Sequence, residues 1–312
     1  MTGDDALEAA IDDLVHRGCD LADAGDHAGA AALFRRAAEQ GSALAWFNLG
    51  NSLRALHRWE DAVRAHEQAA ALGEGDAWLN LALVLLDLHR WPEAERAARR
   101  AIALGDTAGW GPLGSALEEQ GRRGEAVSAF RLGAERGDLA ATVQLAWALH
   151  EDGEDTAAQA WMRRAAEGGD AQARAVLACW RWDATTDAAL EDELRAGAEV
   201  YPPARVDLAH LLRATGRVEE ARSTLEAGAL RNEEDTWLPL GNLLLDEFQQ
   251  EVAAAAAYRA GIDAGDLHCH HNLGVLLLAQ GDVDGAVEQL LLGAEGGDEL
   301  AARVLREVLE EE

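Results

Sequence analysis

Apolar and polar positions alternate with a helical period along the chain, in segments of roughly 12 to 14 residues suited to amphipathic helices. Within the leucine-rich segments a small residue recurs at Gly18, Gly50, Ala82, Gly114, Ala146, Ala178, Ala209, Gly241 and Gly274, at spacings of 32 residues with one of 31 and one of 33. A fixed period of this length is the signature of stacked units that bury their apolar faces on one another. Twelve residues after most of these anchors comes a second small residue: Ala30, Ala62, Ala94, Ala126, Ala158, Ala221, Ala253 and Ala286. Seven further on comes a third: Ala37, Ala69, Ala101, Gly133, Ala165, Gly228, Ala260 and Gly293. Small side chains at fixed places let helices approach closely.

Between the first two small positions the chain turns at Gly25, Gly121, Gly153, Gly216 and Gly281, which divides each unit into a helix A, a tight turn and a helix B. Helix B ends in a glycine followed by aspartate at Gly105, Gly137, Gly169, Gly265 and Gly297. The glycine supplies a left-handed C-cap, and the aspartate accepts from the free amides of the next helix A. The pattern predicts an all-α fold of nine helix pairs, from residue 7 to about 298, in a single solenoid domain over 1–312. A lone charged helix over 299–311 suits the solvent-facing end of the stack. The segment 178–203 is irregular, because its turn CWRWDATTDAALEDEL lacks glycine and Tyr201, Pro202 and Pro203 replace the glycine–acid join. Proline pushes the residue before it out of helical conformation, so a local change of curvature or a hinge is expected there.

The stretches WFNLG at Trp46, WLNLA at Trp78, WGPLG at Trp110 and WLPLG at Trp237, each with an alanine twelve residues after the small residue, resemble the tetratricopeptide repeat. Endings such as FRRAAEQGSALA and WMRRAAEGGDAQA resemble the related Sel1-like repeats. The resemblance runs in register along nearly the whole chain and implies a right-handed α-solenoid of antiparallel helix pairs. It also implies that helix A lines a concave face and helix B a convex one. The groove residues carried over are then Phe47, Leu79, Val143, Val206, Leu238 and His271, three before an anchor, and Asn51, Leu83, Trp147, His210 and Asn242, one after it. An apolar floor with a few amides suits an extended peptide or a helix. Some co-chaperones of the family clamp a peptide's terminal carboxylate with lysines, and this chain has none to supply.

Acidic residues gather at the C-terminal ends of the A helices and the turns that follow: Asp87, Glu118, Glu119, Glu151, Asp152, Asp246 and Glu247. A carboxylate there faces the negative end of the helix dipole, so its repetition suggests an acidic edge that steers a partner with basic and apolar residues. The whole chain is acidic, with 57 Asp and Glu against 27 cations, all arginine, and a net charge of −30. That balance excludes phosphate-backbone binding, which needs a concentrated basic surface. Absence of lysine fits a bacterial genome rich in G and C. The opening MTGDDALEAAIDD has acids where a secretory signal needs a basic region, and runs such as LALVLLDL are too short for a bilayer, so a cytoplasmic protein without membrane segments is expected. Cys19, Cys179 and Cys269 are odd in number and lie in apolar segments, which reads as buried thiols.

The run His268-Cys269-His270-His271 raises the question of a metal. By register His270 occupies the tryptophan place and Cys269 a helical packing position, while His268 and His271, three apart, share one side of helix A. Two imidazoles without an assignable third ligand do not make a stable site, so His268 and His271 are candidates only and the reading is no metal and no cofactor. His57 and His89 recur in LHRWEDA and LHRWPEA where other units turn at glycine, which points to a duplicated structural turn. No phosphate-cradling loop, nucleophile elbow or metal-hydrolase motif is present. The expected function is a noncatalytic scaffold or adaptor for a protein or peptide. The competing readings are a metal-dependent sensor or enzyme using the groove histidines, and a self-assembling structural protein.

Overall fold

The structure, a computed structural model, describes residues 3–310. Among the described residues there are 19 α-helices and no strand. They follow one another as hairpins: α1 (Gly3–Asp23) with α2 (His27–Ala38), α3 (Ala43–Ala55) with α4 (Trp59–Ala71), α5 (Ala77–Asp87) with α6 (Trp91–Ala103), and α7 (Trp110–Glu119) with α8 (Arg123–Glu135). Then come α9 (Leu139–Glu151) and α10 (Asp155–Glu167). The series continues with α11 (Ala171–Thr185) and α12 (Glu191–Gly197), α13 (Pro202–Ala214) and α14 (Val218–Leu230), α15 (Trp237–Asp246) and α16 (Glu251–Ala264), α17 (His268–Ala279) and α18 (Val283–Glu295). Helix α19 (Glu299–Glu310) closes the series; residue 311 of the expected cap lies outside the described residues. The fold is an all-α solenoid, and its contacts divide it into two compact units, 1–164 and 165–312, which are described individually.

The anchors are small because a large side chain from helix B lies on them. Phe34, His66 and Phe130 stand sixteen residues after Gly18, Gly50 and Gly114, and a Cβ at any of these glycines would overlap the ring. In the second unit Tyr258 lies on Gly241 and Leu290 on Gly274 in the same way. The same helix B place holds Ala98, Met162, Leu194 and Leu225 where the anchor is alanine, and all are buried. Anchor and covering residue thus exchange volume: four of five glycines meet a ring, and no alanine does. Gly114→Ala is expected to lower stability by roughly 1–3 kcal/mol through overpacking, read as a lower denaturation midpoint, with recovery in Gly114→Ala/Phe130→Leu.

The third small position is squeezed from two sides. A Cβ on Gly133 would lie 2.6 Å from the Cβ atoms of both Trp110, in its own helix A, and Ala141, in the next. Gly261 sits likewise against Trp237 and Cys269, and Gly293 against His270 and Ala301. The expected small positions Ala253 and Ala260 are displaced by one residue to the buried Ala254 and Gly261, because the extra residue of the 33-residue spacing is taken up in the turn, where Gln249 has φ of 55°.

Joins and turns follow local chemistry. Gly105, Gly137, Gly169, Gly265 and Gly297 have positive φ, while Asp138, Asp170 and Asp298 accept from the amides of Ala141, Ala173 and Ala301 at 3.1, 2.9 and 3.2 Å. His57 and His89 adopt φ of 56° and 57° in place of glycine and set their rings edge-on to Trp59 and Trp91, 5.2 and 4.8 Å between centroids. In the segment that lacks the turn glycine, α11 extends to Thr185, Thr186 turns at φ of 48°, and α12 spans only 7 residues.

Candidate functional site

All eleven residues expected to line a groove reach the surface. Asn51 and His210 are exposed, and Phe47, Leu79, Leu83, Val143, Trp147, Val206, Leu238, Asn242 and His271 are half-buried. The leucines immediately before the anchors, such as Leu49, Leu81 and Leu145, are buried instead, as expected for a helix with one face to the core and an oblique face outward.

In the first unit Phe47 and Leu79 line a recess of about 600 Å³ with Asn80, Leu104, Asp76 and Asp106. Leu104 is 63% exposed at its lip. Asn80 donates to Asn51 Oδ1 at 2.9 Å, joining the residue after one anchor to the residue two before the next. Trp147 lies edge-on to His150, 6.2 Å between centroids, and His150 Nδ1 is 2.7 Å from Asp155. In the second unit the same asparagine pairing recurs: Asn272 donates to Asn242 Oδ1 at 2.7 Å and the Tyr258 hydroxyl donates to it at 2.8 Å. Leu238 lines a recess of about 440 Å³ with Pro239, Glu234, Asp235, Asp266 and His268. Each recess therefore combines an apolar floor with carboxylates at the N-terminal ends of A helices, where the dipole favours them. Sequence reading missed Asn80, Asn272 and these acids, although the two asparagines share the register of Asn48.

Asp207, two residues before its anchor, is half-buried, and burial raises its carboxyl to about 6 despite a hydrogen bond from the Cys179 thiol. Burial pushes that thiol upward, as it does for Cys269. Neither cysteine is a thiolate near neutral pH, and reactivity needs a thiolate.

The acids at the C-terminal ends of the A helices are interlocked with arginines. Arg54 meets Asp87 at 3.3 Å; Arg123 meets Glu118, Glu151 and Asp152 at 3.4, 2.9 and 2.9 Å; Arg213 meets Asp246 and Glu247 at 3.1 and 2.8 Å. Glu119 makes no ion pair among the described residues. Two guanidiniums against five carboxylates in the first unit, and one against two in the second, leave each set acidic, and burial with nearby Glu151 and Glu119 outweighs Arg123 to raise the Glu118 carboxyl. Exposed pairs of this kind contribute little individually.

The histidine run separates into four environments. His268 Nδ1 approaches Asp298 at 3.3 Å, Cys269 packs on Gly261, His270 occupies the tryptophan place and meets Gln289 at 3.0 Å, and His271 has Nδ1 buried without a partner. Asp266 accepts from the His268 amide at 3.0 Å. Among the described residues no group of three or more His, Cys, Asp and Glu side chains is arranged to hold a metal ion.

A family model for the tetratricopeptide repeat matches residues 16–77 and 48–109. This chain is a repeat protein of the tetratricopeptide and Sel1-like fold. The repeat protein is similar in structure to c5321, a protective antigen present in uropathogenic Escherichia coli strains displaying an SLR fold, with a TM-score of 0.65 and 22% identity over 99% of this chain and 74% of that one. It is also similar to a Sel1 repeat protein from Oxalobacter formigenes, with a TM-score of 0.61 and 20% identity over 88% and 90% of the two chains. A chain of the APC/C hetero-tetramer Cut9-Hcn1 matches with a TM-score of 0.54 and 12% identity over 96% and 90%. No curated protein matches the sequence. Among the described residues of the repeat protein, no helix is long and apolar enough to cross a membrane.

Proposed function

We propose that the protein is a noncatalytic cytoplasmic scaffold that binds a protein or peptide along the A-helix faces. The observation that carries this reading is the recess on Phe47 and Leu79, where accessible apolar side chains, an asparagine pair and two carboxylates meet, Asp76 and the Asp106 that caps Ala108. The apolar floor takes a hydrophobic side chain, the amides left free on Asn51 and Asn80 pair with an extended backbone, and Asp76 and Asp106 favour a neighbouring cation. The same combination around Leu238 gives the second unit a site of the same kind. In each unit the acids at the C-terminal ends of the A helices outnumber the arginines that meet them, which supports a partner that is basic as well as apolar.

The test is selection of peptides on the full chain, followed by affinity measurement with the best binder. Phe47→Ala/Leu79→Ala, checked for folding by circular dichroism, is expected to weaken binding at least about tenfold, equivalent to ~1.4 kcal/mol. Arg100→Ala on helix α6 is expected to bind like the wild type. Equal affinity in the double variant would remove this recess as the site.

A further inference from the structure

Two recesses of the protein are built from the same places in the repeat. Six residues before an anchor stands Asp76 in one and Asp235 in the other, and three residues later comes a leucine, Leu79 or Leu238. No other anchor has an acid and a leucine in these two places. The far wall is in each case the join after helix B, Gly105-Asp106 or Gly265-Asp266, with positive φ at the glycine. An exposed leucine, Leu104 or Leu267, stands at each lip.

The carboxylates divide by task. Asp106 and Asp266 hold the start of the next helix, accepting from the amides of Ala108 and His268 at 3.0 Å each. Asp76 caps no amide although it stands at the start of α5, and among the described residues neither its side chain nor that of Asp235 meets a donor or a cation. At the other ends of α5 and α15 the acids do meet arginines, Asp87 with Arg54 at 3.3 Å and Asp246 with Arg213 at 3.1 Å. The helix dipole favours an acid at a helix start, but it does not account for the return of a free carboxylate beside a leucine at only two anchors.

We infer that each chain takes two copies of one short motif, an apolar side chain next to a lysine or arginine, one copy in each recess. This rests on the A-helix recess being the binding site and extends it from the chemistry of the partner to the number of copies held. The apolar side chain lies on Leu79 or Leu238, and the neighbouring cation meets Asp76 or Asp235. Volumes of about 600 and 440 Å³ are those of ligand-sized sites. Pro239 stands in the second recess where Asn80 stands in the first, and Glu234 adds a carboxylate. The first site is therefore the tighter, with an amide for the peptide backbone, and the second is the more sensitive to salt.

A random peptide library is selected on the full Phe47→Ala/Leu79→Ala chain and, separately, on Leu238→Ala, each checked for folding by circular dichroism. Both selections are expected to enrich the same basic and apolar motif. In calorimetry the enriched peptide is expected to fill two sites on the wild-type chain and one on either variant. Asp76→Asn and Asp235→Asn, at exposed positions outside the core, are each expected to weaken one of the two sites about two- to fivefold. One peptide per wild-type chain, lost in Phe47→Ala/Leu79→Ala and unaffected by Leu238→Ala and Asp235→Asn, would overturn the inference and leave the A-helix recess in place as a single site. Unrelated motifs on the two variants would overturn it as well, and enrichment of no peptide on any chain would remove both. A mass above that of the monomer in light scattering, reduced by both acid variants, would assign the recesses to a second copy of this chain instead.

Discussion

Arg205→Ala is expected to destabilise the protein by about 3–5 kcal/mol, the range for removing one partner of a buried ion pair. Arg205 stands in the tryptophan register of α13 and is only 4% exposed. Its Nε donates to Glu233 at 2.8 Å, and its Nη2 donates to the Ala198 carbonyl. The second bond matters because α12 lacks a glycine cap, and a free carbonyl at a helix end otherwise needs water or a donor. One side chain therefore covers Gly228, caps the short helix and neutralises Glu233. Arg205→Lys keeps the charge without the fork and is expected to recover only part of the loss. In urea denaturation the double variant Arg205→Met/Glu233→Gln is expected to be more stable than Arg205→Ala, since no charge is left buried alone. A loss below about 1 kcal/mol for Arg205→Ala would show that the pair is solvated and the cap unimportant.

His66→Phe is expected to gain roughly 1–3 kcal/mol at pH 7, the cost of leaving buried polar atoms unpaired. His66 is 0% exposed, lies on Gly50 as Phe34 lies on Gly18, and has both ring nitrogens without a partner. Its other neighbours are the Phe47 ring, edge-on at 5.9 Å, and the Arg54 cation. Burial first, then Arg54, lowers the imidazole to about 4. The unfolded chain binds this proton at about 6.5, so the folded state is penalised as pH falls through the window from 6.5 to 4. Stability from this residue is fully present above 6.5 and falls by about 2 kcal/mol at pH 5. The difference between wild type and His66→Phe in denaturation midpoint should therefore widen on going from pH 7 to pH 5. A constant difference would mean that His66 has a partner or reaches water when folded.

Much of this architecture is legible in sequence because its determinants are local. Glycine at a left-handed cap, aspartate at the next N-cap and an alanine in a fixed place each act within a few residues, and a 32-residue period repeats the evidence. The pair count, the closing helix, the irregular segment and the structural role of His57 and His89 all rest on such signals. Accessibility of Phe47, Asn51 and Leu238 follows from helix periodicity alone. The one-residue displacement from Ala253 and Ala260 arose where the period itself slips, and register carried across an insertion is unreliable.

Local signals along the chain specify the units, their order and which helix face is apolar. What each face meets depends on how the helices pack. Sixteen or seventeen residues separate an anchor from its covering ring, 28 separate Arg205 from Glu233, and 33 separate Arg54 from Asp87. Such pairings form when two helices approach, and the approach is set by the volumes of all side chains between them. That is why Arg205 could stand in a tryptophan place as a buried cation and why His66 could be left unpaired.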